Sequence, residues 1–395
     1  MLPPDYLINR LDDVTTIYAD LSTAVLESIA KHVADTLRAT GELGLMPSTI
    51  RQIETAQSIG LLRDDIAAYV ATALSVSAPE IKKLFMDAAV KSLVYDNRVY
   101  EAVGLEPINI KQSPTMLRIL NASINKQMGT LRRMTGAIAI NAEPLFERTL
   151  NTAYMKTISG SHSYTEALNE AIDEMAREGT KTFDYASGRS IAIESAILMN
   201  IRTGISQTAG EITKQGMIDR GASYVQTSAH QGARNKGEKH QNHADWQGKF
   251  YYFREIATEP NAYDLPDFVL TCGLGLVDGI LGSNCRHSYS PAWPGITPQR
   301  FDDEGIEEMN NKTVTFKDPK TGEEKEMLLA DALDHLRYLE RGLRHWKRRR
   351  DVKQAAGLDA LIEKKKVREW SRRIKDFTDS TGIRRQHFRE RVAKT

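Results

Sequence analysis

Apolar residues recur every three or four positions along most of the first 220 residues. This is the spacing of one buried face of an α-helix, so the chain is predicted to begin as a series of helices. Glycines and Pro47 after Leu37 predict the end of the first helix. Its apolar stripe consists of Leu11, Val14, Tyr18, Leu21, Val25, Ile29, Val33 and Leu37.

Helix-start signals divide the rest of this region. Ser113 followed by Pro114 favours a helix that runs to about Met134. Ser163 and Glu166 have capping-box spacing, and Gly179 is the predicted stop of that helix. The other predicted starts are Ser48 (a helix to about Ile59), Asp64, Pro79, Pro144 and Ser187, the last leading to a helix that ends near Arg220.

The pattern changes at Gly221, where glycines and aromatic residues become frequent. Short runs at 224–227 and 249–253 have strand composition, and a strand pair is predicted around the turn sequence 318–322. Helical spacing returns at about Met327. The predicted fold class is mainly α with a small α+β module. The predicted domains are a helical region (1–220), the α+β module (221–326) and basic amphipathic helices (327–395).

Composition narrows the class of protein further. The 395 residues are 41% hydrophobic and 27% charged, as in a soluble folded chain. No run approaches the roughly 18 apolar residues of a spanning helix, and the N-terminus lacks secretory-signal features. No membrane anchor is therefore expected. Two cysteines are too few for a disulfide scaffold, which favours a reducing cytoplasm as the place of assembly.

A near-neutral total of +1 conceals a charge asymmetry. Residues 341–395 hold 19 Lys or Arg and 7 Asp or Glu, a net charge of +12, and the preceding residues carry −11. Amphipathic helices with this charge would bind DNA phosphates without reading sequence. The alternative is a solvated face that pairs with acidic neighbours. The candidate DNA-binding residues are Lys347, Arg348, Arg349, Arg350, Lys364, Lys365, Lys366, Arg372, Arg373, Arg384 and Arg385.

Histidine and cysteine are concentrated in the α+β module. Four of the nine histidines and both cysteines lie within 58 residues. Imidazole and thiolate are preferred zinc ligands, and a small module gains stability from a metal. His230, His243, Cys285 and His287 are the candidate metal ligands, with zinc the candidate cofactor. The alternative is that they are loop residues bonded to backbone groups, because their spacings match no standard zinc pattern, and Cys285 and His287 would point to opposite sides of an extended chain.

The same residues define the competing enzyme hypothesis, a metal-assisted hydrolase acting on DNA or cell wall. A nuclease site could use His240, His243 and Asp245, but the His-x-x-His run lacks the glutamate of a metalloprotease. A Cys285–His287 nucleophile pair would need an imidazole within hydrogen-bond reach, which residues two apart seldom achieve. The glycine run 273–279 lacks the Lys-Ser/Thr of a phosphate loop. No complete catalytic motif is present, so a non-enzymatic protein is expected.

Several unusual motifs occur in an order that resembles the phage minor capsid protein 2 family of tailed bacteriophages, which is related to MuF-like head-morphogenesis proteins. The motifs include Gly-Ser-His-Ser-Tyr-Thr-Glu-Ala at 160–167, Thr-Ser-Ala-His-Gln-Gly-Ala-Arg at 227–234 and His-Ala-Asp-Trp-Gln-Gly at 243–248. They continue with Asn-Cys-Arg-His at 284–287 and Thr-Gly-Ile-Arg-Arg-Gln at 381–386. Further matches lie at 185–189, 195–199, 203–207, 291–295, 338–341 and Trp370.

The resemblance implies a structural role in the virion, close to the portal vertex, with assistance to head assembly. It implies portal and major capsid proteins as partners, and packaged double-stranded DNA or further copies of the same chain as additional ones. The basic helices would meet the DNA. The expected location is the virion, assembled in the host cytoplasm.

Overall fold

Helices dominate the architecture of the protein, known here from a computed structural model. It describes residues 1–6, 10–41, 48–159, 161–179, 181–184, 190–318 and 321–392. Within these ranges ten α-helices accompany seven short strands. The predicted fold class, mainly α with a small α+β module, is confirmed. No helix in the described ranges is both long and apolar enough to cross a membrane.

Five helices build the first part of the chain. They are α1 (Asp12–Gly41), α2 (Ser48–Ala102), α3 (Pro114–Ile158), α4 (Tyr164–Glu178) and α5 (Ile193–Arg220). The predicted caps are confirmed: Ser113 accepts a hydrogen bond from the backbone N–H of Met116, and Ser163 forms a capping box with Glu166. The predicted α1 stripe is buried and packs in one large core with α2, α3, α4 and α5. Gly44 and Pro47, the other predicted stop signals of α1, lie outside the described residues.

Two prolines predicted to start helices instead lie inside them. Pro79 falls within α2 and Pro144 within α3, so three predicted helices merge into α2 and two into α3. Both prolines are exposed, which lets the carbonyls left without a helical donor face water. Before and after each proline, the opposite face of the helix carries buried residues. The packing of these residues outweighs the local cost of the proline.

The small mixed module is built around a three-stranded antiparallel sheet. Its central strand β3 (Tyr224–Thr227) pairs with β4 (Phe250–Tyr252) on one side and β5 (Tyr289–Ala292) on the other. The first two match the predicted strand runs, whereas β5 was not predicted. Two short helices, α6 (His243–Trp246) and α7 (Phe268–Cys272), cover the sheet. Trp246, Phe253, Phe268 and Tyr289 fill the core between them.

The helix predicted to begin at Ser187 begins later. A strand, β2 (Ser190–Ala192), pairs with β1 (Lys181–Asp184), and α5 begins only at Ile193. Ser187 itself lies outside the described residues. The sequence Ser-Ile-Ala at 190–192 contains no helix stop signal, so helical periodicity alone extended the prediction too far.

The remaining elements carry most of the basic charge. Helix α8 (Asp303–Asn311) precedes the predicted hairpin of β6 (Thr313–Lys317) and β7 (Glu324–Leu328), which is confirmed. Helices α9 (Leu329–Ala355) and α10 (Leu361–Thr381) then pack against each other and against β6. Gly342 of α9 lets the ring of Trp370 lie directly on the helix backbone. Leu361 and Ile362, apolar residues in the first turn of α10, are exposed.

Helix α9 contributes to two hydrophobic cores. Leu336, Leu339 and Leu343 pack with α10, whereas Val352 and Ala356 pack into the large N-terminal core. Cleavage near Lys347 would therefore remove part of that core rather than release a separate tail. The predicted domain boundaries at 220 and 326 stay predictions.

Candidate metal centre and basic surface

Loops and helix starts around the small sheet bring the four candidate metal ligands together. His230 follows β3, His243 is the first residue of α6, and Cys285 and His287 precede β5. The His287 ring lies 4.4 Å from the His230 ring and 5.3 Å from the His243 ring, measured between centroids. Residues spread over 58 positions of the sequence thus form one compact cluster.

Three of the four offer ligand atoms to a common point. One ligand atom each from His243, Cys285 and His287 lies within 4.8 Å of the other two. His230 is outside this group: it stacks on His287, and its Nδ1 lies 3.0 Å from a guanidinium nitrogen of Arg286. The structure therefore places His230 beside the cluster as a packing partner.

Cys285 and His287 are closer than an extended chain would allow. The Cys285 Sγ lies 3.7 Å from the His287 Nδ1, and the backbone N–H of His287 also points to this sulfur. The chain turns here, with Asn284 at a φ of +60° and the Cys285 N–H donating to the Gly282 carbonyl. The expectation that the two side chains point to opposite sides is wrong because it assumed extended backbone.

Hydrogen-bond partners fix the tautomer of His287. The Gln247 Oε1 accepts from the backbone N–H of His230, and its Nε2 donates to Asn310. The amide oxygen therefore faces the His287 Nε2 at 2.9 Å, and that nitrogen must carry the proton. The Nδ1 lone pair of His287 is left facing Cys285.

The same reasoning applies to His243. Its Nε2 lies 2.8 Å from the backbone carbonyl of Asp278, which can only accept, so Nε2 carries the proton. The Nδ1 of His243 consequently keeps its lone pair. Two imidazoles thus present Nδ1 lone pairs, and each has its other ring nitrogen held by a backbone or amide oxygen, as in many metal sites.

Burial keeps the cluster uncharged. It lowers the pKa of His230 to about 3 and that of His243 to about 4, and it takes the pKa of His287 well below its ordinary value. Burial also raises the pKa of the Cys285 thiol to about 11. At neutral pH the metal-free cluster has neutral imidazoles and a protonated thiol, the opposite of the thiolate–imidazolium pair of an activated cysteine.

The nuclease arrangement considered from sequence does not form around one point. His240 turns away to Asp278, with its Nε2 3.1 Å from the carboxylate, and Asp245 is exposed. Among the described residues, neither joins His243 in the group of potential ligands.

Many of the candidate DNA-binding residues contact other groups of the same chain. Arg349 pairs with Asp173 of α4, Arg350 with Asp351, and Arg385 with Glu390. The Lys347 ammonium donates to the Glu390 carbonyl, and the Arg373 guanidinium lies on the Trp370 ring. Lys366 pairs with Glu369, and Arg348 is half-buried.

The others form a cationic stripe on α10. Lys364, Lys365 and Arg372 are exposed on this helix, and Arg384 is exposed beyond it. Arg368 and Lys375, which sequence reasoning missed, are exposed as well. Positions 364, 368, 372 and 375 follow helical spacing and lie along one face. The sequence signal for Arg368 and Lys375 was their helical spacing from the apolar residues Ile374 and Phe377, which places them on the face of α10 away from the core.

A second basic feature was invisible in the sequence. A cavity of about 640 Å³ beside Cys285 and His287 is lined by eight arginines and two carboxylates, those of Asp334 and Glu340. Burial lowers the pKa of Arg389 to about 10, although the Glu340 carboxylate lies 3.9 Å away. The arginines are Arg202, Arg234, Arg286, Arg337, Arg341, Arg344, Arg389 and Arg391.

Comparison with known proteins places this chain in a family. A protein described as "Structural protein", from Lactococcus phage LL-H, is 22% identical over 251 residues, which cover 62% of this chain and 61% of the relative. The chain thus spans about three-fifths of the length of that relative. No solved structure matches the chain. The family described as phage minor capsid protein 2 matches residues 2–379. Since that match covers nearly the whole sequence, the chain belongs to the phage minor capsid protein 2 family.

Proposed function

We propose that this protein is a minor structural component of the phage head, positioned near the portal vertex, where it assists head assembly. The family match over residues 2–379 carries the structural role. The phage relative described as a structural protein supports it independently. Portal and major capsid proteins are the proposed partners, and the mature virion, assembled in the host cytoplasm, is the proposed location.

In its metal-free form, the cluster does not support a cysteine nucleophile. A protonated, buried thiol and neutral imidazoles supply no activated nucleophile at neutral pH. Asp245 is exposed and does not join the histidines in the group of potential ligands among the described residues.

Electron cryo-microscopy of virions tests the location. In a reconstruction computed without icosahedral averaging, density with the long helices α2 and α3 should appear next to the portal. Mass spectrometry of the same particles should detect the chain in a few copies. Absence of the protein from both mature virions and precursor shells would contradict the proposal.

We further propose that the exposed stripe on α10 contacts packaged DNA. Lys364, Arg368 and Arg372 are spaced four residues apart and exposed, and Lys365 is exposed beside them. Such a row can neutralise successive phosphates without reading bases. Residues held in buried ion pairs, such as Arg349, are left out of this contact. Arg372 is kept because its side chain is 83% exposed and its partner Asp376, at 3.6 Å, lies on the same exposed part of α10.

Replacing Lys364, Lys365, Arg368 and Arg372 with glutamine should weaken binding to double-stranded DNA by roughly tenfold or more at low salt. The slope of log affinity against log salt should become shallower by about 0.9 for each phosphate that the variant no longer neutralises. Fluorescence anisotropy with a labelled duplex, measured over a range of salt concentrations, reports both quantities.

A matched variant removes four charges elsewhere. Lys82, Lys83, Arg132 and Arg133 are exposed on α2 and α3, and their replacement by glutamine gives the same change in net charge. The control should retain the affinity and salt slope of the wild type. If both variants lose affinity equally, binding follows the total charge and the stripe on α10 is not the contact.

A further inference from the structure

We propose that His243, Cys285 and His287 bind one zinc ion, which ties the start of α6 to the turn before β5. The proposal is independent of the role in the phage head, because it rests on the arrangement of these three side chains alone. Zinc suits a set of two imidazoles and one thiolate, since both are its preferred ligands.

Distances within the cluster are close to those of a formed site. In a tetrahedral zinc site, ligand atoms bound at about 2.0–2.3 Å lie roughly 3.4–3.8 Å apart. The Cys285 Sγ and the His287 Nδ1 are already separated by 3.7 Å. All three ligand atoms lie within 4.8 Å of one another, so a shift of about 1 Å at His243 completes the arrangement.

Ligand orientation is already fixed by the surrounding groups. The Asp278 carbonyl and the Gln247 amide oxygen each accept an Nε2–H, from His243 and His287 respectively. Both histidines therefore keep an unprotonated Nδ1, in the neutral form of imidazole that binds metals. Outer hydrogen bonds of this kind hold the rings of metal-binding histidines in place.

The fourth ligand comes from outside this group. His230 does not supply it, because it lies outside the group of potential ligands and its Nδ1 contacts the Gln231 carbonyl and Arg286. Zinc is four-coordinate, so we expect a water molecule or a small anion in the remaining position. The arginine-lined cavity, whose walls include Cys285 and His287, provides access and positive charge for an anion.

Nearby arginines oppose a cation but do not prevent its binding. The Arg234 guanidinium donates to the backbone carbonyls of Asp278 and Ser283, and Arg286 pairs with Asp5. Their positive charge also favours the thiolate form of Cys285, which offsets one charge of the metal. We therefore expect weaker zinc binding than in a site with four protein ligands.

Metal titration of the full-length protein, first stripped with a chelator, tests the proposal. Zinc should bind with a stoichiometry of one and raise the melting temperature. Cobalt should bind in its place and give the near-ultraviolet charge-transfer absorption of a thiolate–cobalt bond. Loss of a hydrogen-bond partner behind a ligand costs roughly 10- to 100-fold in affinity, so loss of a ligand should cost at least as much.

Variants of the two cysteines make the test specific. Cys285→Ser is nearly isosteric and should abolish the charge-transfer band and weaken zinc binding by roughly 100-fold or more. Cys272→Ala, at the other cysteine, and His230→Gln, beside the cluster, should retain both. If a fold defect is suspected in any variant, circular dichroism without metal identifies it. Absence of zinc binding by the wild type, or equal binding by Cys285→Ser, would overturn the proposal.

Discussion

Replacing Glu363 with glutamine should lower the free energy of unfolding by about 3–5 kcal/mol, the usual cost of breaking a buried ion pair by removing one partner. The Glu363 side chain is 2% exposed, and its carboxylate lies 2.7 Å from the Lys353 ammonium and 3.7 Å from the Arg349 guanidinium. Asp173 of α4 contacts the same two cations. Without Glu363, two buried positive charges face one carboxylate.

A control on the same helix separates burial from charge. Glu369 pairs with Lys366 at 2.8 Å, but both side chains are more than 40% exposed. Glu369→Gln should change the free energy of unfolding by less than about 1 kcal/mol, because exposed ion pairs contribute little. Urea unfolding followed by circular dichroism measures both variants. Similar losses for the two would show that the Glu363 network is not the buried support described above.

Acidification should destabilise the metal-free protein between pH 6.5 and about 4. Burial lowers the pKa of His230 to about 3 and that of His243 to about 4, whereas unfolded histidine titrates near 6.5. Below pH 6.5 the unfolded chain takes up protons that the folded chain does not, so stability falls as the pH decreases. Each such histidine contributes roughly 1.4 kcal/mol per pH unit in that interval.

The slope of stability against pH is the diagnostic quantity. His230→Gln should reduce the slope between pH 6 and 5 by roughly 1.4 kcal/mol per pH unit, whatever it does to the absolute stability. The same substitution at His387, whose side chain is 74% exposed, serves as the control. Denaturant titrations at several pH values, in the presence of a chelator, provide the comparison. An unchanged slope for His230→Gln would mean that His230 is not held neutral by burial.

Local sequence signals were sufficient for most of the helical fold. The α1 stripe, the Ser113 and Ser163 caps and the hairpin before α9 were all readable, because each depends on residues within a few positions of one another. Pro79 and Pro144 misled because their cost is local, whereas the packing that offsets it comes from other helices. Whether a proline starts a helix or lies in one is decided by those tertiary contacts.

The candidate site was only partly predictable. Ligand type and clustering in sequence singled out His243, Cys285 and His287, but the turn at Asn284 that joins the last two was not visible in the pattern. The hydrogen bond from His287 to Gln247 was equally hidden, although Gln247 lies within the family-like motif 243–248. Net charge located the basic region, but the carboxylates that occupy some of its residues come from distant elements such as α4.

Because α9 packs in two hydrophobic cores, α9 and α10 cannot be transferred to another protein as an independent unit. Its 27 residues span about 40 Å, with the apolar residues of its first half in the core shared with α10 and Val352, near its end, in the core of the N-terminal helices. Grafted onto another scaffold, α9 and α10 would expose Val352 and Ala356 and separate Arg349 from Asp173. The cationic surface is therefore not an interchangeable appendage, and changes to it are constrained by the helices against which α9 packs.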